Sequence, residues 1–165
     1  MELEQTSDGK QWPVSAEERS AVIDAVNRLN MAFDDWDIEA MVAAFTEEGI
    51  VHHARGEVRG HAELRRFYDA YKPLTLGVRR HALNHVVDKV ADGTLRVTSY
   101  NLLVRVAPAD EHEQARRQMV SEYDHLPGLF VHAVMVDTLR RDEAGGWRIC
   151  ERFAGNNSLN RTMRT

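Results

Sequence analysis

The apolar pattern of the chain changes at about residue 79 from a helical to a strand-like spacing. Before this point, Val22, Val26 and Leu29 recur at the spacing of one helix face. After it, the runs LRVTSYNLLVRV and LFVHAVMVDTLRR are rich in residues that favour extended strands. Helices that precede strands, rather than alternate with them, predict an α+β fold with the helices packed on one face of a curved antiparallel sheet.

Three helices are predicted before residue 79. SAEE at residues 15–18 has the form of a capping box, and the apolar spacing after it predicts a helix to about Phe33. DDWD interrupts this pattern, and a second, shorter helix follows, for which Asp35 or Asp37 is available as the N-cap. GHAELRRFYDAY forms the third helix, which Pro73 is expected to end.

Two hairpins are predicted in the second half of the chain. The first turns at ADGT and the second at DEAGG. Residues 107–128, between the hairpins, are too polar for core structure and could form a lid or the tip of a hairpin. We therefore expect a leader over residues 1–14, one domain over residues 15–154 and a tail over residues 155–165.

Composition argues against several classes of partner. The formal net charge of -5 opposes general attraction to nucleic acid, and no apolar run approaches the roughly 20 residues that cross a bilayer. The single cysteine, Cys150, cannot form an internal disulfide, and no signal peptide is evident, which indicates a cytoplasmic protein. Neither GxGxxG, a P-loop nor a cysteine ligand set occurs, so no cofactor is expected.

Histidine spacing argues against a local metal site. His81 and His85 are four positions apart in a segment that reads as a strand, which places them on one face but about 13 Å from each other. One zinc ion cannot bind both, because each ligand nitrogen must lie about 2.1 Å from the metal. His52 and His53 are adjacent and point to opposite faces of a strand. No metal is therefore predicted.

Four motifs together resemble a known family. They are DWD after the first helix, FTEEGIV before the first strand, RRHALNHVV at the start of the long hairpin and GGWRI at the last strand. They resemble the SnoaL-like branch of the nuclear transport factor 2-like superfamily over about residues 15–154. This resemblance implies a cone-shaped barrel in which a curved antiparallel sheet and three N-terminal helices enclose an apolar pocket. It also implies a homodimer packed through the sheets.

The resemblance suggests a catalytic pair. In dehydratases of the family, a histidine near the start of the long hairpin works with an aspartate near the end of the first helix, and that histidine matches His81. A carboxylate would fix the histidine tautomer and raise its basicity. The family's aspartate position holds Ala32, preceded by Met31 where a tyrosine is common. Asp34 could substitute, with Asp35 as the next choice, although either could instead cap the second helix.

Further residues are predicted to line the pocket and bind substrate. They are His53, Tyr68, Tyr71, His85, Tyr100, Phe130 and His132. Several have structural alternatives: His53 could be a hydrogen-bonded structural histidine, and Tyr68 and Tyr71 could pack in the core with their hydroxyls at its edge. Tyr100 and Asn101 point to opposite sides of their strand, so only one of them can line the pocket.

Two function classes follow from the resemblance. The first is a cofactor-independent lyase, isomerase or cyclase that uses His81 and Asp34 for acid/base chemistry on an apolar, carbonyl-bearing small molecule. The second is a non-catalytic small-molecule-binding or accessory protein of the same fold, which Met31 and Ala32 favour. An interaction subunit like the transport factor itself is a third alternative, suggested by fold alone.

Overall fold

The computed structural model describes residues 14–72 and 75–163. These described residues form four α-helices and six strands. In chain order they are α1 (Ala16–Asp35), α2 (Ile38–Ala43), β1 (Phe45–His53), β2 (Gly56–Arg59), α3 (Gly60–Tyr71), β3 (Val78–Ala91), β4 (Thr94–Arg105), α4 (His112–Ala115), β5 (Gly128–Arg141) and β6 (Trp147–Leu159). A short 3-10 helix, Arg161–Met163, follows. The predicted leader, except Val14, and Pro73 lie outside the described residues.

Local capping sets the boundaries of the first two helices. The Ser15 hydroxyl accepts a hydrogen bond from the Glu18 backbone N–H at 3.1 Å, which confirms the predicted capping box. Trp36 adopts a left-handed conformation with φ 55° and ends α1. Asp37, rather than Asp35, is the N-cap of α2, and its carboxylate accepts from the Ala40 N–H at 3.0 Å.

The six strands form one open, curved sheet in the order β2-β1-β6-β5-β4-β3. All neighbouring strands are antiparallel except β1 and β6, which run parallel. The predicted α+β architecture is confirmed, and the parallel pair is a detail that the hairpin pattern did not predict. In this pair the last strand of the chain lies beside the first strand and runs in the same direction.

The buried residues form two clusters against the concave face of the sheet. The larger joins the first three helices to β1, β4, β5 and β6, and includes Val22, Leu29, Met41, Leu64, Val97, Leu139 and Ile149. The smaller lies at the other end of the sheet and contains Val78, Leu103, Phe130, Val131, Ala133 and Met135. The burial of these side chains supplies the main driving force for folding.

A bulge in β3 corrects the predicted relation between His81 and His85. The pairing with β4 shifts between Leu83 and Val86, and Asn84 takes a left-handed conformation with φ 55°. This extra residue reverses the alternation of the strand, since two residues of β3 now oppose one residue of β4. His81 is exposed, whereas the Nε2 atom of His85 is buried, so the two histidines do not share a face.

A second irregularity lies at the start of β5. The pairing with β4 shifts between Leu103 and Val104, and both Phe130 and Val131 are buried. From Val131 onward the odd-numbered residues of β5 face the core. At this same end of β5, the neighbouring strand β6 continues to Leu159, which pairs with Val131. The last strand therefore extends beyond residue 154, where the domain was expected to end.

The polar excursion between the hairpins is packed on the body of the domain. It contains α4, which the sequence pattern did not predict. Arg116 binds the Asp35 carboxylate at 3.0 Å, and the ring of His112 is buried. These contacts place the excursion beside the C-terminal end of α1.

Candidate functional site

A cavity of about 90 Å³ lies between the two core clusters, on the concave face of the sheet. Its apolar wall contains Phe33 of α1 and Phe67 of α3. The remaining lining residues are Asn30, Val51, His53, Tyr68, Tyr71, Arg80, Asn101, Leu103, Val131, Ala133, Met135, Arg152, Ala154 and Asn157. An apolar cavity with a few convergent polar groups is the usual form of a small-molecule site.

His53 contributes an imidazole to the aromatic side of this cavity. Its ring centroid lies 5.2 Å from that of Phe67 and 5.7 Å from that of Tyr71, both in edge-on geometry. The Nδ1 atom of His53 accepts a hydrogen bond from the Arg55 backbone N–H at 3.2 Å. Burial, together with the Arg55 charge, lowers the pKa of His53. The ring is therefore neutral at pH 7 and carries its proton on Nε2.

Arg80 brings a buried positive charge to the cavity wall. Both oxygens of the Asp34 carboxylate accept from the Arg80 backbone N–H, at 3.1 and 3.2 Å. The Arg80 guanidinium also contacts Asp34 at 3.3 Å and lies 4.4 Å from the centroid of the Phe33 ring. Burial raises the pKa of Asp34 against the opposing effect of Arg80, and burial lowers the pKa of Arg80. Asp34 does not line the cavity itself, but its contacts with Arg80 fix the position of this arginine in the cavity wall.

A second buried ion pair lies on the neighbouring strands. The Asp137 carboxylate of β5 accepts two hydrogen bonds from Arg152 of β6, at 2.6 and 2.9 Å. Burial acts to lower the pKa of Arg152, but the Asp137 carboxylate more than offsets this, so the pKa is raised. Tyr68 lies near both groups, and burial raises the pKa of its hydroxyl, which stays protonated. Tyr68 and both guanidinium groups can therefore donate hydrogen bonds into the cavity.

Polar atoms continue from the cavity along the inner face of β4. Asn101 donates to the Asn30 side-chain oxygen at 3.4 Å, and its own Oδ1 is buried without a partner. The Ser99 hydroxyl and His85 Nε2 are also buried and unpartnered. Burial lowers the pKa of His85, while the nearby Asp137 opposes this shift. Buried polar atoms without partners are uncommon in proteins, so this stripe is suited to contact with water or a ligand.

The structure brings together some of the residues predicted to line the pocket. His53, Tyr68 and Tyr71 line the cavity, and His85 faces the same side of the sheet farther along β3. Of Tyr100 and Asn101, Asn101 faces inward. Tyr100 is exposed and contacts His132 on the outer face, with their ring centroids 5.4 Å apart.

The placement of His132 and Phe130 follows from the β5 irregularity. His132 was expected to share an inward face with Phe130, but the register shift before Val131 turns His132 to the outer face. Phe130 belongs to the smaller core cluster, where Arg105 lies 5.0 Å from its ring centroid. Neither residue lines the cavity, because the side chains of β5 that point inward are the odd-numbered ones from Val131 onward.

The expected contact between His81 and Asp34 does not form. Val78 and Arg80 are buried, so the alternation of β3 turns His81 outward into solvent. Arg80 occupies the position beside Asp34 in its place. Asp35 also points away from the cavity and pairs with Arg116.

Two arginines of the cavity were missed by sequence reasoning. Arg80 and Arg152 are both buried, whereas arginine is ordinarily an exposed residue. The sequence does contain a signal for the buried Arg152. Its partner Asp137 lies within the apolar run VMVDTL, in phase with the buried residues Met135 and Leu139. A carboxylate in the buried phase of a strand indicates a buried cation on a neighbouring strand.

Within residues 14–72 and 75–163, no three His, Cys, Asp or Glu side chains are grouped so as to hold a metal ion. In the same part of the chain, no helix combines the length and apolar character needed to cross a membrane.

The family model described as "SnoaL-like domain" matches residues 14–153. The chain belongs to the SnoaL-like domain family. The match covers α1 to α4, strands β1 to β5, β6 as far as Phe153 and all of the cavity lining except Ala154 and Asn157. No curated protein sequence matches the chain.

Solved structures share the fold of this SnoaL-like domain. A protein of unknown function with a cystatin-like fold from Nostoc punctiforme is 19% identical, with a TM-score of 0.69 over 87% of this chain and 93% of the other. ActVI-ORFA from Streptomyces coelicolor is 18% identical, with a TM-score of 0.65 over 82% and 94% of the two chains. A protein provisionally assigned as a scytalone dehydratase, from Novosphingobium aromaticivorans, is 17% identical, with a TM-score of 0.65 over 87% and 88%. At this identity the likeness shows the fold alone.

Proposed function

We propose that this SnoaL-like domain is a cofactor-independent lyase, isomerase or cyclase that acts on a small, apolar molecule with a carbonyl group. The observation that carries the proposal is the number of hydrogen-bond donors among the polar residues that line the cavity. Tyr68, Arg80 and Arg152 all present hydrogen-bond donors, and none of the described side chains lining the cavity is a carboxylate. Such a wall favours an oxygen atom that gains negative charge during a reaction.

The donors suit enolate chemistry for a physical reason. When a proton leaves the carbon beside a carbonyl group, negative charge develops on the carbonyl oxygen. Donors that are fixed before the reaction stabilise this charge without reorganising, and the effect is strong where water is excluded. Asp34 and Asp137 hold the two guanidinium groups in place, so their role in this proposal is to position Arg80 and Arg152.

Two histidines are the candidates for proton transfer. His53 lines the cavity as a neutral imidazole with Nε2–H available for a ligand oxygen. His85 Nε2 lies beyond Asn101 and has no partner, which leaves it free to accept a proton. Both imidazoles have pKa values lowered by burial, so both are neutral near pH 7 and suited to acid/base exchange.

Substitution of individual cavity residues tests the proposal. A panel of enolisable and dehydratable aromatic ketones supplies the substrates, and turnover is followed by absorbance. We expect Tyr68→Phe and His53→Gln each to lower kcat/KM by about a hundredfold, with Tyr123→Phe on the excursion as a matched control. If His53→Gln is as active as wild type and His81→Ala loses activity, the catalytic histidine is the exposed His81, and the proposed role of the cavity is refuted.

A non-catalytic binding protein is the second candidate, and one observation favours it. Arg80 and Arg152 are already paired with carboxylates inside the protein, which balances their charges in the absence of a ligand. In that case the aromatic ketones bind and raise the melting temperature, but no product forms. Tyr68→Phe would then change the Kd for these ketones, and neither the variant nor the wild type would show turnover.

We also propose that the protein is a cytoplasmic homodimer packed through the outer face of the sheet. Leu83, Tyr100 and Leu129 are large apolar residues exposed on this face, where His81 and His132 also lie. Large apolar residues exposed on one face of a sheet are typical of an interface between subunits. Sedimentation equilibrium is expected to show a dimer, and Tyr100→Glu to shift it towards the monomer; a wild-type monomer would contradict the proposal.

A further inference from the structure

A second cavity, of about 240 Å³, lies between the body of the domain and the excursion after β4. It shares no lining residue with the first cavity. Arg79 of β3 and Gly77, just before this strand, line one side, and the segment after β4 supplies the other residues, which are Val106, Ala107, His112, Ala115, Gln118, Met119 and Ser121. Arg79 and Arg80 are neighbours in β3, so their side chains leave the strand in opposite directions, one towards each cavity.

A fixed histidine forms part of this second cavity. The Nδ1 atom of His112 accepts a hydrogen bond from the Gly77 backbone N–H at 2.9 Å, and the residue is buried. A ring that accepts at Nδ1 carries its proton on Nε2 when it is neutral. Gly77 has φ +72°, and a Cβ atom there would overlap the Ala107 backbone oxygen, so the strand and the excursion meet closely. The position of His112 is therefore set by backbone contacts.

Positive charge predominates around this histidine. Arg79, Arg116 and Lys72 all act on it as nearby cations, whereas Glu113 is the one carboxylate with a comparable influence. Arg116 is engaged by Asp35, and one terminal nitrogen of Arg79 donates to the Asp34 backbone oxygen at 3.1 Å. The guanidinium of Arg79 keeps further N–H groups for other acceptors, since arginine has five donors.

Aliphatic side chains form part of the remaining lining. Val106, Ala107, Ala115 and Met119 line the cavity together with the polar residues Gln118 and Ser121. A site that combines cationic donors with several aliphatic side chains matches a ligand with a negative head and a short apolar body. An inorganic anion would use the donors but leave the aliphatic walls unoccupied.

We infer that this second cavity binds a small organic carboxylate with an apolar body. The carboxylate lies against Arg79 and His112, and its body fills the space beside Ala115 and Met119. The bound anion links the excursion to β3 and the end of α1, because Arg79 also contacts the backbone of α1. This site is separate from the proposed catalytic cavity and does not depend on its chemistry.

Benzoate is the probe for the site, with benzamide as its neutral analogue and inorganic phosphate as an anion without an apolar body. Binding is measured by NMR titration of the backbone amides. We expect benzoate to bind at least tenfold more tightly than benzamide or phosphate, with the largest shifts at Gly77, Ala107 and Ala115. Arg79→Gln is expected to weaken benzoate binding at least tenfold, whereas Arg117→Gln, an exposed arginine of the same excursion, leaves the Kd unchanged.

Two filling variants distinguish the cavities. Ala115→Phe occupies the second cavity and is expected to abolish benzoate binding, while Ala133→Leu occupies the first and is expected to leave it unchanged. Circular dichroism and the amide spectrum check that each variant is folded. Loss of binding in Ala133→Leu alone would place benzoate in the first cavity and overturn the inference. Equal weakening by Arg79→Gln and Arg117→Gln, equal affinity for benzamide, or no benzoate binding would also overturn it.

Discussion

The buried pair of Asp137 and Arg152 provides a test of how the interior is held together. Asp137 is fully buried, and the side chain of Arg152 is 5% exposed. Asp137→Asn keeps the shape of the side chain but removes its charge, and it turns an NH2 group towards a guanidinium that only donates. Arg152 is then a buried cation without a counter-charge, which costs about 3–5 kcal/mol of unfolding free energy.

This loss is large beside the total stability of a domain, which is about 5–15 kcal/mol. For a chain of this length it corresponds to a decrease in Tm of about 6–20 °C. Urea unfolding followed by circular dichroism measures it, with Asp24→Asn as the control, because the Asp24–Arg28 pair is exposed and should leave the midpoint unchanged.

A double variant separates charge from packing. Replacing both partners, as Asp137→Leu with Arg152→Met, removes the unpaired charge and should recover most of the stability lost in Asp137→Asn. If Asp137→Asn lowers the unfolding free energy by less than about 1 kcal/mol, Arg152 must find compensation elsewhere, and an essential counter-charge at Asp137 is refuted. A double variant no more stable than Asp137→Asn would instead show that packing dominates.

Two further predictions concern His112 and Asn84. Burial is the first cause that lowers the pKa of His112, and nearby cations add to it, so below about pH 6.5 the unfolded chain binds a proton that the folded chain does not. Stability should therefore fall as the pH drops from 7.5 to 5.5, by less in His112→Gln; an equal fall in the unfolding free energy of wild type and variant, from urea titrations at the two pH values, would contradict this. Asn84→Val should lower the unfolding free energy by about 1–2 kcal/mol, because φ is 55° there, and Asn84→Gly should not. Equal urea midpoints for these two variants would show that the bulge does not require the left-handed conformation.

The sequence by itself determined the architecture of this protein. The capping box at Ser15, the helical spacing after it and the β-rich runs after residue 79 are local signals, so they predict the helices, the hairpins and the α+β class correctly. The four motifs likewise identified the SnoaL-like family, which the family model confirmed over residues 14–153. Three of the residues predicted to line the pocket, His53, Tyr68 and Tyr71, do line the cavity.

Only the tertiary structure decided which polar side chains meet inside the domain. Simple alternation assumes an unbroken strand, and the bulge at Asn84 and the register shift before Val131 each reverse it, which separates His81 from His85 and turns His132 outward. The phase in which β3 begins also places Arg80, and not His81, beside Asp34. Register depends on pairing with neighbouring strands distant in sequence, and a shift of one residue exchanges the two faces of a sheet.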